Sequence, residues 1–420
     1  MERYTEDKLN KMSVHTLRVI LRSEFNGVPG VCNKSELIAQ ILDIQAGASA
    51  PSRSTKGRKP LGEFITPIKE EITFVDVEED ESNVKKGVFE LNADGYGFVR
   101  VNKNTEFVDF FVPKTIVKKY SLRTGDEVEC VVYYASELGS LNVKSIISIN
   151  GRMPEKREAV VNNTNLKVKY PEVKINFERG KSKIIDAVDV FCPLGKGQRC
   201  LVEDFAGKHG TNFINTLLDS VGDDNLTIIS LFVGVKPEEL ENVEQTKKRQ
   251  HVVLPIDLGT EEVLRVVNLT VERAKTLCQM GENVLLVLDS FSYIANAYED
   301  YLSYGKSSGY VKTGLNKNKY ATEIFCAGGN FSENGSLTIV VTVDAKRDEK
   351  LFSELLSVAT SVIKLKNSDL ISRRGYVVDL ANSYTDKDDR LLTEKQIAYA
   401  DEERNKLAQD GNYLATIYSK

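Results

Sequence analysis

Hydrophobic and polar positions divide the chain into segments with different periods. Within residues 1–47 apolar residues recur near helical spacing, and Ser35 begins an apolar stripe that continues to Leu42. This segment predicts a small N-terminal helical unit with Ser35 as a helix cap. Residues 48–84 carry a basic run followed by an acidic run without an apolar period, which predicts a flexible linker.

Short apolar runs separated by turn residues occupy residues 85–150, and this spacing suits a small five-stranded barrel. After a connector at 151–180, apolar runs alternate with helical stretches such as 261–280. These runs are 226–233, 284–288 and 337–343. The alternation predicts parallel strands with helices on both faces over residues 181–400, followed by a C-terminal tail at 401–420.

The composition is that of a globular multidomain protein, since 420 residues with 41% hydrophobic content can form two or three cores. No apolar run approaches the roughly 20 residues of a membrane span, so we expect a cytoplasmic protein without a membrane partner. The six cysteines and three histidines are scattered, which argues against a zinc site or disulfide framework. The net charge of −5 requires any nucleic-acid binding to come from a local surface.

One such surface is predicted within the barrel. Tyr96, Phe98 and Arg100 share one face of a strand because side chains alternate with a period of two. Asp109 and Phe111 alternate in the same way on the facing segment. Bases stack on such rings at about 1–3 kcal/mol each, and Arg100 can add a phosphate or stacking contact. Single-stranded RNA is therefore the expected ligand.

The alternative is that this aromatic face belongs to the barrel core. Two glycines argue against that alternative, because Gly95 and Gly97 flank Tyr96 with nothing bulky and predict an exposed ring on a flat surface. The charges in the barrel segment nearly balance, so stacking has to supply much of the affinity.

A second candidate site lies in residues 195–211, which have the spacing of a phosphate-binding loop. The motif G-x-x-x-x-G-K-[ST] turns backbone N–H groups toward phosphates and places a lysine directly before the Ser/Thr. Here Thr211 could hold a metal ion, but Gly210 precedes it and Lys208 comes two positions early. The sequence therefore predicts a nucleotide fold whose chemistry is impaired.

An apolar strand at 284–288 ends in Asp289, the form of a Walker B segment whose aspartate belongs to the magnesium shell. The alternative is that Asp289 caps a helix. A hydrolase also needs a carboxylate at the tip of the intervening strand to orient water, but Gly234 and Val235 occupy that tip.

In the order of these motifs, the chain resembles the bacterial transcription termination factor Rho over nearly its whole length. The matching segments are 94–100, 121–126, 193–199, 288–290 and 295–298. The resemblance implies a multidomain α+β fold with a helical unit, an OB-fold or cold-shock-type barrel and a RecA-like α/β P-loop domain. It also implies a helicase-like hexameric ring that binds nascent RNA, hydrolyses ATP with Mg²⁺ and moves toward RNA polymerase. That ring could be formed from this chain alone or with other Rho subunits.

Carried over by position, the resemblance assigns RNA-binding, nucleotide and catalytic residues. The RNA residues are Tyr96, Phe98, Arg100, Asp109 and Phe111 on the barrel and Lys312, Lys346 and Arg347 in the pore loops. The nucleotide residues are Gly207, Lys208, Gly210, Thr211 and Asp289, with Thr211 and Asp289 at the magnesium ion and Arg374 as an arginine finger. Compared with the family, Gly210 replaces the Walker lysine and Val235 replaces the catalytic acid. Lys236 replaces the arginine that follows that acid.

Loss of both the lysine and the acid removes the electrostatics and positioning on which phosphoryl transfer depends. The leading hypothesis is a Rho-like RNA-binding protein in transcription termination or its regulation, with impaired or absent ATP hydrolysis. The alternative is an active RNA-dependent ATPase and helicase in which Lys208 returns to the phosphates and Glu203 or Asp204 replaces the missing acid. A third hypothesis is a scaffold that binds neither ligand.

Overall fold

The computed structural model describes the chain in stretches separated by gaps. The described residues are 4–10, 12, 16–17, 20–21, 33–46, 83–103, 106–135, 140–154, 167–204, 209–234, 249–307, 316–331, 335–367 and 375–409. Nearly all of the predicted linker at 48–84 lies outside them, as does the predicted tail from residue 410 onward.

The described part of the N-terminal unit contains helices α1 (Glu6–Asn10) and α2 (Lys34–Gln45). The cap of α2 is Asn33 and not the predicted Ser35. The Asn33 side chain accepts a hydrogen bond from the Glu36 amide, and the Glu36 carboxylate accepts one from the Asn33 amide. This reciprocal pair is a capping box, which satisfies two amides at the start of the helix.

Five strands close into a small barrel in the order β1-β2-β3-β5-β4. They are β1 (Val84–Leu91), β2 (Gly97–Lys103), β3 (Glu106–Val112), β4 (Glu127–Ala135) and β5 (Ser140–Ile149), with helix α3 (Lys114–Tyr120) after β3. Alternate side chains point inward and form the barrel core. That core includes Phe89, Val99, Phe110, Val112 and Val128.

The next part of the chain forms a mixed sheet in the order β14-β13-β7-β12-β10-β8-β9. Its parallel strands are β7 (Arg199–Asp204), β8 (Thr227–Val233), β9 (Arg249–Leu254), β10 (Asn283–Asp289), β12 (Ser336–Asp344) and β13 (Ser361–Asn367). Short strands β6 (Val168–Lys169), β11 (Gly329–Phe331), β14 (Tyr376–Val378) and β15 (Tyr384–Thr385) add antiparallel pairs.

Helices cover both faces of this sheet, as expected for near-continuous apolar strands. They are α4 (Lys183–Phe191), α5 (Gly210–Ser220), α6 (Thr260–Gln279), α7 (Phe291–Ser307), α8 (Lys317–Phe325), α9 (Glu349–Leu356) and α10 (Glu394–Gln409). Helix α10 runs across the predicted boundary at residue 400, and its Leu407 belongs to the core of the sheet. The predicted multidomain α+β fold, with a small closed barrel followed by a largely parallel sheet covered by helices, is confirmed.

The barrel packs against helix α6. Arg273 on α6 donates to the Gly125 carbonyl at 3.3 Å, to Asn150 Oδ1 at 2.7 Å and to Glu127 Oε2 at 3.2 Å. A Cβ atom on Gly125 would lie 2.5 Å from the backbone of Glu272, so only glycine permits this close approach. These contacts place the start of β4 and the end of β5 beside α6.

In the described stretches, no helix has both the length and the apolar content needed to cross a membrane. Cys130, Cys192, Cys200 and Cys278 are buried. Burial raises the pKa of the Cys130 and Cys200 thiols to about 12, so both stay protonated and unreactive at neutral pH.

Candidate functional site

Three aromatic side chains form a surface at strands β2 and β3, which we call the ring platform: Tyr96 just before β2, Phe98 on β2 and Phe111 on β3. Phe98 lies directly opposite Phe111 in the antiparallel register. The ring centroids are 5.8 Å apart for Tyr96 and Phe98, 5.5 Å for Tyr96 and Phe111, and 5.9 Å for Phe98 and Phe111. All three side chains are half-buried, whereas Val99 and Phe110 between them are buried in the core. On β2 and β3, Val99 and Phe110 thus point into the barrel core, whereas the rings of the platform point outward.

The glycines beside Tyr96 have different roles from the one that the sequence predicts. A Cβ atom on Gly97 would lie 2.3 Å from the Phe89 ring, so Gly97 makes room for the core beneath the platform. Gly95 has a φ of +87° and no heavy atom within 4 Å of a Cβ position, so it serves the turn before β2.

Arg100 lies at the edge of the ring platform and is held on two sides. Its guanidinium carbon is 4.6 Å from the centroid of the Phe98 ring. Its Nε donates to Glu90 at 2.7 Å, and its Nη1 donates to Asp109, its register partner on β3. These contacts fix the plane of the guanidinium beside the rings.

Asp109 is more exposed than Arg100, with 37% of its side chain accessible against 14%. Burial raises the pKa of the Asp109 carboxyl above its ordinary value, and the attraction of Arg100 and Arg265 offsets only part of that effect. The carboxylate therefore remains an accessible acceptor at the end of the platform.

Three residues that were not predicted as site residues complete this ion-pair network: Glu90, Arg265 and Glu262. Glu90 on β1 accepts from Arg100 and also from Arg265 Nη1 on α6 at 3.3 Å. Arg265 pairs with Glu262 on the same helix, and the hydrogen bond from Arg265 lowers the pKa of Glu262. Glu90 lies on a predicted strand next to the core residue Phe89, so the period of two could have placed its side chain on the outer face of the barrel. Arg265 is 175 residues further along the chain, so no local pattern could have found it.

The second candidate site lies where β7, β12 and β10 end beside the start of α5. Thr211 Oγ1 on α5 donates to Asp289 Oδ2 at 2.7 Å, and the Thr342 hydroxyl donates to Asp289 Oδ1. The structure thus brings together the two residues predicted for a magnesium ion, and oxygen ligands suit that ion. In this arrangement Asp289 accepts from hydroxyls on two neighbouring elements, which differs from the simple helix cap.

A phosphate loop presents helix N-terminal amides to its ligand, so the partners of the amides at the start of α5 show whether a phosphate fits this site. His209 N donates to Asp204 Oδ1 at 3.1 Å, and Gly210 N donates to Asp204 Oδ2 at 2.9 Å. Asp204 is only 6% exposed. A carboxylate of the chain therefore lies at the amides of His209 and Gly210 that would bind an anion, and these described residues do not fit a bound phosphate at that point.

Of the remaining predicted site residues, two are exposed and the others lie outside the described stretches. Lys346 and Arg347 are exposed in the turn after β12, where their amides donate to Asp344 Oδ1 at 3.1 Å each. Gly207, Lys208, Val235, Lys236, Lys312 and Arg374 lie outside the described residues. Gly375, which follows Arg374, lies beside the His209 ring, and that ring stacks on Tyr376 with centroids 5.4 Å apart.

Two protein families match separate parts of the chain. The family described as "Rho termination factor, RNA-binding domain" matches residues 85–155. The family described as "ATP synthase alpha/beta family, nucleotide-binding domain" matches residues 185–368. The first match contains the ring platform, and the second contains Asp204, Thr211 and Asp289.

Individual relatives agree with the first match. Transcription termination factor Rho of Cereibacter sphaeroides is 27% identical over 74% of this chain and 77% of its own length, and that of Borreliella burgdorferi is 28% identical over 79% and 67%. Transcription termination factor Rho 1 of Ehrlichia chaffeensis is 29% identical over 86% of this chain and 87% of its own. A solved ATPase from the type III secretion system of pathogenic bacteria aligns with 64% of this chain and 78% of its own, at 19% identity and a TM-score of 0.48. The chain is therefore similar to transcription termination factors Rho over most of its length, and it combines a Rho-type RNA-binding domain with an ATP synthase-type nucleotide-binding domain.

Proposed function

We propose that this protein holds single-stranded RNA on the ring platform and acts in transcription termination or its regulation, with impaired or absent ATP hydrolysis. The observation that carries the proposal is the set of three outward rings at mutual distances of 5.5–5.9 Å, beside a fixed guanidinium. Its relatives carry the name of transcription termination factor, and the matched barrel family is an RNA-binding one.

Binding at the platform is a matter of stacking. Unpaired bases lie on the faces of Tyr96, Phe98 and Phe111, each contributing about 1–3 kcal/mol. Arg100 donates to a phosphate or a base edge, and Asp109 accepts from a base amino group. A duplex hides its base faces and therefore does not fit this surface. Because the chain has a net charge of −5, non-specific attraction to phosphates adds little.

The nucleotide half lacks the electrostatics of phosphoryl transfer. Gly210 stands where the family has a lysine, and Asp204 supplies a negative charge at the helix amides. Thr211 and Asp289 are the residues that would hold Mg²⁺ if it entered with ATP. Neither Glu203 nor Asp204 suits the role of a substitute acid, because Glu203 pairs with Lys364 at 2.9 Å and Asp204 binds amides.

We extend the proposal to the assembly. The family resemblance supports a cytoplasmic hexameric ring, formed from this chain alone or with other Rho subunits, that meets RNA polymerase through the transcript. Lys346 and Arg347 are exposed cations in the turn after β12, which suits RNA contacts in the pore of such a ring. Mass determination with and without RNA tests the ring, and a monomer in both conditions would contradict it.

The RNA proposal is tested by fluorescence anisotropy with a labelled cytidine-rich oligoribonucleotide, alone and annealed to its complement. We expect the single strand to bind at least about tenfold more tightly than the duplex. Equal affinity for both forms would contradict the proposal, and absence of binding to either would favour a scaffold.

The hydrolysis proposal is tested by phosphate release in the presence of the same single strand. We expect no RNA-stimulated release above the level of a protein-free control. Sustained turnover that disappears in Lys208→Ala would instead support the active ATPase with a relocated lysine.

A further inference from the structure

Asp204 accepts hydrogen bonds from the backbone amides of His209 and Gly210, which a nucleotide phosphate would need as donors. Both of its carboxylate oxygens accept from amides at the start of α5, with distances of 3.1 Å to His209 N and 2.9 Å to Gly210 N. Helix N-terminal amides attract anions because of their partial positive charge. In this chain the attracted anion is an aspartate at the end of the strand that precedes the loop.

Gly210 makes this contact possible. A Cβ atom at Gly210 would lie 2.9 Å from Asp204 Oδ2 and 3.4 Å from Thr342. A lysine at position 210, which the family resemblance assigns there, would therefore meet the Asp204 carboxylate before its side chain reached any phosphate. Gly210 and the Asp204 carboxylate thus depend on each other at this site.

The surrounding charges act in the same direction. Asp344 is the register partner of Asp204 on the adjacent strand β12, and Asp289 ends the next strand, β10. All three aspartates are buried, with exposures of 6% for Asp204, 7% for Asp344 and 2% for Asp289. An incoming phosphate at the α5 amides would meet the Asp204 carboxylate, with Asp344 on the adjacent strand, and like charges in a buried site repel strongly.

We propose that Asp204 is the specificity-determining residue of this site: its carboxylate replaces the phosphate at the α5 amides and so excludes nucleoside di- and triphosphates. The inference rests on the proposed function and adds a residue and a mechanism to it. It predicts that the exclusion can be reversed by changing Asp204, while RNA binding at the barrel stays unchanged.

Calorimetric titration with Mg²⁺–ADP and Mg²⁺–ATP tests this inference on the full-length protein. We expect Asp204→Ala to bind at least about tenfold more tightly than the wild type, and Asp204→Ala with Gly210→Lys to bind more tightly still. Gly210→Lys alone should give no gain, because the carboxylate remains. Glu203→Ala is the matched control, since it removes a neighbouring carboxylate on the same strand that pairs with Lys364, and it should leave nucleotide affinity as in the wild type.

Asp204→Asn keeps an acceptor for the α5 amides and guards against a variant that fails to fold. We expect it to bind nucleotide with an affinity between those of the wild type and Asp204→Ala. The inference is overturned if the wild type already binds as tightly as Asp204→Ala, or if folded Asp204→Asn and the double variant bind no better than the wild type. RNA anisotropy on the wild type and the same variants separates the two proposals. If the wild type does not bind RNA, the proposed function is contradicted, whereas the nucleotide affinities of the variants test the role of Asp204.

Discussion

The barrel and the second candidate site, which lies at the ends of β7, β12 and β10 and which we call the sheet edge, orient their polar and aromatic side chains in opposite ways. On the barrel, Phe98 and Phe111 face outward, and Arg100 is held in place beside them by Glu90 and Asp109. At the sheet edge, Asp204 and Asp289 turn toward amides and hydroxyls of the protein. The first arrangement presents its chemistry to a ligand, whereas the second uses its chemistry for internal structure.

Under the proposed function, this difference allows one half of the chain to bind RNA while the other half does not turn over nucleotide. Stacking needs only rings at the right spacing on a rigid strand pair, and it tolerates a negative overall charge. Phosphoryl transfer needs several charges placed together, and a carboxylate at the helix amides opposes them all. The comparison predicts that changes at the barrel alter RNA affinity, and that changes at the sheet edge alter stability or nucleotide affinity.

The largest effect is expected for the double variant Phe98→Ala with Phe111→Ala. Loss of two stacking surfaces should weaken single-stranded RNA binding roughly 30-fold or more. Anisotropy titrations measure it, with Tyr399→Ala as a control because Tyr399 is an exposed aromatic residue on α10, outside the barrel. RNA affinity that survives the double variant would place the RNA site elsewhere.

Arg100→Ala should weaken RNA binding about tenfold, because it removes the cation beside Phe98, breaks the ion pair of Asp109 and leaves Glu90 paired with Arg265. Arg100→Lys keeps the charge but loses the planar guanidinium, so its loss should be smaller. The same titrations measure both variants. Equal affinities for Arg100→Ala and the wild type would remove Arg100 from the platform.

At the sheet edge, Thr211→Val should lower the free energy of unfolding by about 1–3 kcal/mol, because Asp289 loses a hydrogen-bond donor. RNA affinity should not change. Thr322→Val is the control, since the buried Thr322 hydroxyl has no hydrogen-bond partner among the described residues and its loss should be neutral or stabilising. Denaturant unfolding measures both, and a neutral Thr211→Val would contradict a structural role for this pair.

The raised pKa of Asp109 gives a pH dependence with a defined sign. Its value in the folded state exceeds that in the unfolded chain, so its contribution to stability is present at low pH and is lost as pH rises through the folded pKa. Asp109→Asn should therefore be slightly more stable than the wild type at pH 7. Carbon-13 NMR titration of the Asp109 carboxyl should give a midpoint above the ordinary value of about 3.9. A lower midpoint would mean that Arg100 outweighs burial.

The smallest effect is expected for Arg265→Gln on α6. Arg265 acts on the ion pairs of the platform through its contact with Glu90 and its attraction for Asp109, so RNA affinity should fall by roughly twofold to threefold. Lys275→Gln removes an equal charge from the same helix, where Lys275 pairs with Glu272, and should leave RNA affinity unchanged. If both variants lose RNA affinity equally, the effect is one of general charge and not of the network.

Periodicity along the sequence was sufficient to predict the barrel, the parallel sheet and the shared face of Phe98 and Phe111, because strand period and apolar runs are local properties. The meeting of Thr211 and Asp289 also followed from motif order on a parallel sheet. The contacts of Asp204 were missed because a sequence does not show where a carboxylate points. Arg265 was missed because its partner Glu90 is distant in the chain and the pairing depends on how the barrel docks on α6.

Whether RNA and nucleotide binding are separate is tested by the affinity of the wild-type protein for a single-stranded oligoribonucleotide, measured as Mg²⁺–ATP is raised to millimolar concentration. We expect saturable RNA binding with a constant dissociation constant, because the proposed RNA surface faces outward and Asp204 excludes the nucleotide. A dissociation constant that shifts with ATP would show coupled nucleotide binding and would contradict this separation.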